Sequence, residues 1–185
     1  LEIIFTDANN DINKQLDQID NFIAQKVDAI IIVPVDYDGI VSGVEKANEA
    51  GIPVIALGIE SNGGDYTFIG STNIDAGRMQ GEYFAEVLAD SAKVLVLEGQ
   101  SGLYHSKERK DGLLEVLGAK RPDIEILNSL DGKYARDEGM RITEDWIQAY
   151  PEFDAIIAAN DQMALGAIEA LEVANRIDGV MIAGV

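Results

Sequence analysis

Apolar residues follow two alternating patterns along this chain. Short unbroken apolar runs occur at residues 3–5, 29–33, 54–57, 66–69, 94–97, 124–127, 155–159 and 180–183. Between most of them, apolar side chains recur at helical spacing. The stripes are Leu16, Ile19, Phe22 and Ile23; Ile40, Val44 and Ala47; Tyr83, Phe84 and Val87; Leu113, Leu114, Val116 and Leu117; and Ile142, Trp146 and Ile147. A continuous apolar run suits a parallel strand covered on both faces, and a three-to-four-residue repeat suits a helix with one buried face. Repeated β-α-β units predict an α/β fold of parallel sheets flanked by helices, with right-handed crossovers.

One interval breaks the alternation. The runs at 54–57 and 66–69 are joined by a short segment containing Ser61-Asn62-Gly63-Gly64. That is turn chemistry, and the segment is too short for a helical crossover. Gly70-Ser71-Thr72-Asn73 and a fresh helix follow. Here one lobe ends and another begins, so the predicted domains are residues 1–72 and 73–185.

Composition narrows the function classes. At 185 residues and 47% apolar content, one large or two small cores are within reach. The net charge of −19 argues against direct contact with nucleic acid or an anionic membrane surface. Its plainest reading is solubility. Without cysteine there are no disulfides, thiolate metal sites or cysteine nucleophiles. The apolar runs are far shorter than the roughly 20 residues that span a bilayer. The chain opens on Leu1 in the middle of a strand-like run, so the true N-terminus is expected to lie outside it, and the lack of a targeting pattern here carries little weight.

Catalytic and metal signatures are mostly missing. Gly99-Gln100-Ser101-Gly102 follows a strand but lacks the Gly-Lys-Ser/Thr ending of a phosphate loop. Asp7-Ala8-Asn9-Asn10-Asp11 starts like a calcium loop, yet Ile12 stands where glycine is needed and Gln18 where a bidentate glutamate is needed. His105 is the only histidine, and no G-x-S-x-G elbow accompanies it. It reads as a polar loop residue ahead of a helix, with ligand contact as the lesser alternative. No carboxylate pair stands out as acid and base. The expectation is a protein that is not an enzyme and uses no cofactor and no metal.

The binding chemistry gathers where strands end, which in open α/β sheets is where ligands sit. The run at 155–159 stops at Asn160, and Asp161 opens a helix with a small-residue face of Ala164, Ala167 and Ala170. The Asn160 amide offers two donors and two lone pairs, enough to hold neighbouring hydroxyls. Equally, Asn160 and Asp161 serve as helix caps. Ser106 reads as the N-cap of the helix after the 94–97 run, which puts Arg109 in its first turn, where a cation opposes the helix dipole. Arg109 shares a face with Leu113 and Val116, so it needs a partner: a carboxylate or a ligand. Tyr134 follows the next strand. It could stack on the apolar face of a sugar with its hydroxyl free to bond, or simply pack.

Several segments together carry a resemblance: Asp7-Ala8-Asn9-Asn10-Asp11 with Gln15, Ala47-Asn48 with Gly51-Ile52-Pro53-Val54, and Gly70-Ser71-Thr72-Asn73. Gly99-Gln100-Ser101-Gly102, Glu108-Arg109-Lys110-Asp111-Gly112 and Ala159-Asn160-Asp161-Gln162-Met163-Ala164-Leu165-Gly166-Ala167 continue it. In this order the chain resembles periplasmic solute-binding proteins of the ribose-binding type, whose domain also forms the effector half of LacI-type repressors. The resemblance implies two Rossmann-like lobes joined by three hinge strands and enclosing a ligand. It makes Arg109, Asn160 and Tyr134 ligand contacts, with Gln100 and Ser71 as weaker ones. Val33-Pro34 stands where ribose binders have Asn followed by Pro, and Gly58-Ile59 where they have Asp-Arg. A related sugar or a polyol therefore fits better than ribose itself. The resemblance also implies that the family's first strand, between the runs at 3–5 and 29–33, and the end of the second lobe lie outside this chain. It would then be an interior segment of a protein of roughly 280–320 residues.

These readings lead to an expected function: binding a sugar or polyol between two lobes that close by hinge motion, and delivering it to an ABC permease. The protein would be a monomer, periplasmic or extracellular, with a lipid anchor to the cell surface compatible with that location. The alternative is the ligand-sensing domain of a LacI-type regulator, whose DNA-binding headpiece would precede Leu1.

Overall fold

A computed structural model describes residues 2–185. The chain divides into two compact units, Leu1–Ser71 and Thr72–Val185.

Unit 1 contains α1 (Ile12–Gln25), β1 (Ile30–Ile32), α2 (Val41–Glu49), β2 (Val54–Leu57) and β3 (Thr67–Ile69). Its strands form a parallel sheet in the order β1-β2-β3. Asp11 starts α1 because its carboxylate accepts the orphan N–H groups of Asn13 (2.9 Å) and Lys14 (3.2 Å). Ile19 of α1 and Ile40, Val44 and Ala47 around α2 pack on Ile30, Ile32, Val54 and Ala56. The alternate strand residues Ile31, Leu57 and Ile69 stay exposed. Coverage on both faces, expected from the unbroken apolar runs, therefore fails within unit 1. Its two helices both pack on the single face defined by that cluster.

The run at 3–5 is a second correction. It forms no strand, and Ile3 and Phe5 are 77% and 89% exposed. A strand exists by bonding to a neighbour, and the sheet ends at β1. Apolar composition alone supplies no partner.

The segment joining β2 to β3 contains no helix, yet the two strands are parallel neighbours. The return runs along α2. The Asn48 amide donates to Asp65 O (2.8 Å) and accepts from Asp65 N (2.8 Å). Gly64 adopts φ 81°, and a Cβ there would meet Val44 Cγ1 at 2.5 Å. A tight glycine approach thus replaces the usual crossover helix.

Unit 2 runs α3 (Asn73–Val87), β4 (Lys93–Glu98), α4 (Tyr104–Lys120), β5 (Glu125–Asp131), α5 (Arg136–Ala149), β6 (Ala155–Ala158), α6 (Asp161–Val173) and β7 (Met181–Ala183). Its parallel sheet has the order β5-β4-β6-β7. Here both faces are covered. Val94 and Val96 of β4, with Ala155 and Ile157 of β6, pack among Phe84 of α3 and Leu113 and Leu117 of α4. Leu95 and Leu97, with Ile156 and Ala158, pack among Ile142, Trp146 and Met163. Period-two alternation sends successive residues of one strand into two separate cores.

Candidate functional site

The ends of β4, β5 and β6 in unit 2 carry the candidate groups. Glu98 closes β4, and its carbonyl accepts from Gly132 N (2.9 Å) just beyond β5. The Asp131 carboxylate then receives Ser101 N and Lys133 N, each at 2.8 Å. These bonds tie the 99–103 loop to the 132–135 turn. Lys133 and Tyr134 take φ values of 53° and 59°. Two successive side-chain-bearing residues in the left-handed region carry strain, which persists only where neighbours enforce it.

Arg109 lies deeper in its helix than the sequence suggested. α4 begins at Tyr104, Leu103 occupies the N-cap position and no side chain caps it. Ser106 is therefore not the cap. It sits inside the helix, and its hydroxyl donates to the Tyr134 hydroxyl (3.0 Å). Arg109 consequently falls past the first turn, and its opposition to the dipole fades there. Its partners are neutral: Nε donates to Asn73 Oδ1 (3.0 Å), and Nη1 donates to the Ala159 carbonyl (2.6 Å). Nη2 makes no hydrogen bond among the described residues. The guanidinium carbon lies 5.9 Å from the centre of the Tyr134 ring. Beside it, the buried Gln80 of α3 donates to the Ala158 carbonyl (2.9 Å). The end of β6 is thus held by two side chains from two helices.

Asn160 fills the cap role that the sequence left open. Its Oδ1 accepts from Met163 N (3.0 Å) at the start of α6, and its Nδ2 donates to the Tyr134 carbonyl (3.1 Å). One N–H and one lone pair of the amide remain for another partner. Arg109, Tyr134 and Asn160 form one linked group: the arginine beside the ring, the asparagine on the tyrosine carbonyl. Gln100 is exposed on the loop after β4. Ser71 is exposed and ends unit 1, whereas the other four candidates belong to unit 2.

Three neighbours of this group escaped the sequence reading. Asn73 anchors Arg109, and only its place in Gly70-Ser71-Thr72-Asn73 pointed to it. Ser106 was masked by its resemblance to a cap. His105 stacks on Tyr134, with ring centres 5.4 Å apart and planes 17° apart, and no sequence pattern announces such a pair. Burial, and after it the Arg109 charge, pushes the His105 pKa down. Burial pushes the Tyr134 phenol up. Both rings are therefore neutral at pH 7. Among the described residues no cluster of three or more His, Cys, Asp or Glu side chains could hold a metal ion, and no helix is long and apolar enough to cross a membrane.

The family model for the periplasmic binding protein domain matches residues 1–185. The chain belongs to this family. Family membership implies a periplasmic or extracellular location. The binding-protein chain is 34% identical to the ribose import binding protein RbsB of Bacillus subtilis, over 92% of this chain and 55% of that protein. It is 35% identical to a xylitol-binding protein of Mycolicibacterium smegmatis, over 100% of this chain and 53% of that protein. A solute-binding protein of an ABC transporter from Bacillus halodurans, solved with bound myo-inositol, matches with a TM-score of 0.91 and 38% identity. That match covers 99% of this chain and 64% of the other. The chain thus spans little more than half the length of these curated relatives.

Proposed function

We propose that the protein binds a sugar or a related polyol at the strand ends of unit 2 and delivers it to an ABC-type importer. The two units are, in this reading, the two lobes of a solute-binding protein that works as a monomer and docks on a membrane permease. The observation that carries the proposal is the Arg109–Tyr134–Asn160 group. A guanidinium with an unused Nη2, an amide with a spare donor and acceptor, and an aromatic ring suit a ring-shaped ligand with hydroxyls on its rim and C–H groups on its face. None of these groups is a nucleophile with a base beside it, so the chemistry is recognition. The relatives' names support the ligand class: ribose, xylitol and myo-inositol are small polyhydroxylated molecules.

A thermal-shift panel of the full-length protein with D-ribose, xylitol, myo-inositol and D-allose tests it. At least one ligand should raise the melting temperature in proportion to the logarithm of its concentration. Saturation to 100 times the dissociation constant should add about 2.7 kcal/mol of stability. Four flat responses up to millimolar concentrations would refute the ligand class.

A further inference from the structure

Tyr134 is held more firmly than packing alone requires, and two residues outside the ligand group do the holding. Gly99 is buried where β4 ends, and a Cβ built there would meet Tyr134 Cζ at 2.2 Å and its hydroxyl at 2.3 Å. No side chain larger than hydrogen leaves room for the ring. Ser106, 7% exposed, bonds the same hydroxyl from α4. The tyrosine backbone is fixed independently, in a left-handed turn closed by Ala135 N to Gly132 O (2.9 Å) and by Asn160 Nδ2 on the Tyr134 carbonyl. His105 stacks on the ring. The Tyr134 hydroxyl, seated against Gly99, accepts from Ser106, so its acceptor side is engaged inside the protein and only its proton is left to offer a ligand.

We propose that Gly99 and Ser106 are positioning residues that seat Tyr134 as a rigid aromatic platform, so that the site reads the C–H face of a polyhydroxylated ring there and not a hydroxyl. The inference rests on the proposed sugar-binding function. Preorganisation is the physical gain: a ring already ordered before binding loses no rotamer freedom when the ligand arrives. Selectivity follows, because a platform favours cyclic ligands with a contiguous C–H face over open-chain polyols.

His105 makes the seat visible without any ligand. Its imidazole C–H resonance, identified by its loss in His105→Gln, lies in the ring current of Tyr134. The full-length wild type is compared with Tyr134→Leu, Gly99→Ala, Ser106→Ala, Tyr134→Phe and the double variant Ser106→Ala/Tyr134→Phe. Each is measured by NMR and by calorimetric titration with D-ribose, xylitol, myo-inositol and D-allose. Gly99→Ala should move the His105 signal towards its Tyr134→Leu position and weaken binding more than tenfold. Ser106→Ala and Tyr134→Phe should each weaken binding about three- to tenfold, the range set by one neutral hydrogen bond. The double variant should be no worse than either single one, because both remove the same bond. An unmoved His105 signal in a folded Gly99→Ala protein overturns the seat. Additive losses in the double variant, or a loss on Tyr134→Phe that Ser106→Ala does not share, overturn it too, since the hydroxyl would then be reading ligand directly. A wild type that binds none of the four while its His105 signal reports the seat overturns the sugar-binding function, and the platform role with it.

Discussion

At the scale of single residues, one side chain often does two jobs. Asn160 caps α6 and also reaches the Tyr134 carbonyl. Replacing it with alanine removes a cap worth about 1 kcal/mol as well as the amide, whereas Asn160→Ser keeps a capping oxygen and isolates the amide. His105 couples the site to pH. Its pKa in the fold lies below the ordinary 6.5, chiefly through burial and then through the Arg109 charge. Between the two values the unfolded chain binds a proton that the folded chain does not, so stability falls as pH drops from 6.5 towards the folded-state pKa. Urea unfolding between pH 7.5 and 5 should show this slope in the wild type and lose it in His105→Gln. An identical profile for both would mean that His105 titrates normally. The residue scale also shows what sequence alone conveys. Tyr134 and Asn160 stood out as candidates because strand ends are local signals, and Arg109 because a cation on an apolar helix face is one. The partners of Arg109 were not, because Asn73 and Ala159 reach it only after α3, α4 and β6 have packed. Ser106 misled for a related reason: a serine near a helix start looks like a cap unless the backbone shows where the helix begins.

Elements are placed by glycines at their crossings. A Cβ on Gly77 of α3 would meet the Arg109 carbonyl at 2.0 Å, and one on Gly112 of α4 would meet the Ile74 carbonyl at 2.2 Å. α3 and α4 therefore approach backbone to backbone, and that approach brings Asn73 to the Arg109 guanidinium. The second helix pair repeats the device, with Gly166 of α6 against the Arg136 carbonyl of α5. Gly112→Ala should destabilise the protein by about 1–3 kcal/mol, because a rigid backbone atom cannot give way as a side-chain end can. Gly118 lies in the same helix, and a Cβ there meets nothing within 4 Å. Gly118→Ala should stabilise by up to about 1 kcal/mol through helix propensity. Chemical denaturation of the two variants separates the effects, and equal shifts would contradict the crossing geometry. Among the described residues, five helices and seven strands were legible from amphipathic stripes and apolar runs, which burial sets, and the sixth helix from its cap and small-residue face. The predicted strand at 3–5 failed because pairing, unlike hydrophobicity, needs a neighbour. Coverage of the first sheet was overestimated because an apolar run does not say how many faces are filled.

For the whole molecule, two α/β units with separate cores divide after β3, at Ser71, whereas the break in β-α-β rhythm after β2 lies inside unit 1. The reading of a ligand carrier depends on one guanidinium that the fold orients with neutral partners and leaves with donors to spare. A charge held this way is stable without a counter-ion in the protein and is available to a hydroxylated ligand. The decisive measurement is calorimetric titration of the full-length protein, wild type against Arg109→Ala, with the ligand that gives the largest thermal shift. The account predicts a loss of roughly 10- to 150-fold in affinity, the range for hydrogen bonds from a charged group, with the far-UV spectrum unchanged. Wild-type affinity in a folded Arg109→Ala protein would contradict it.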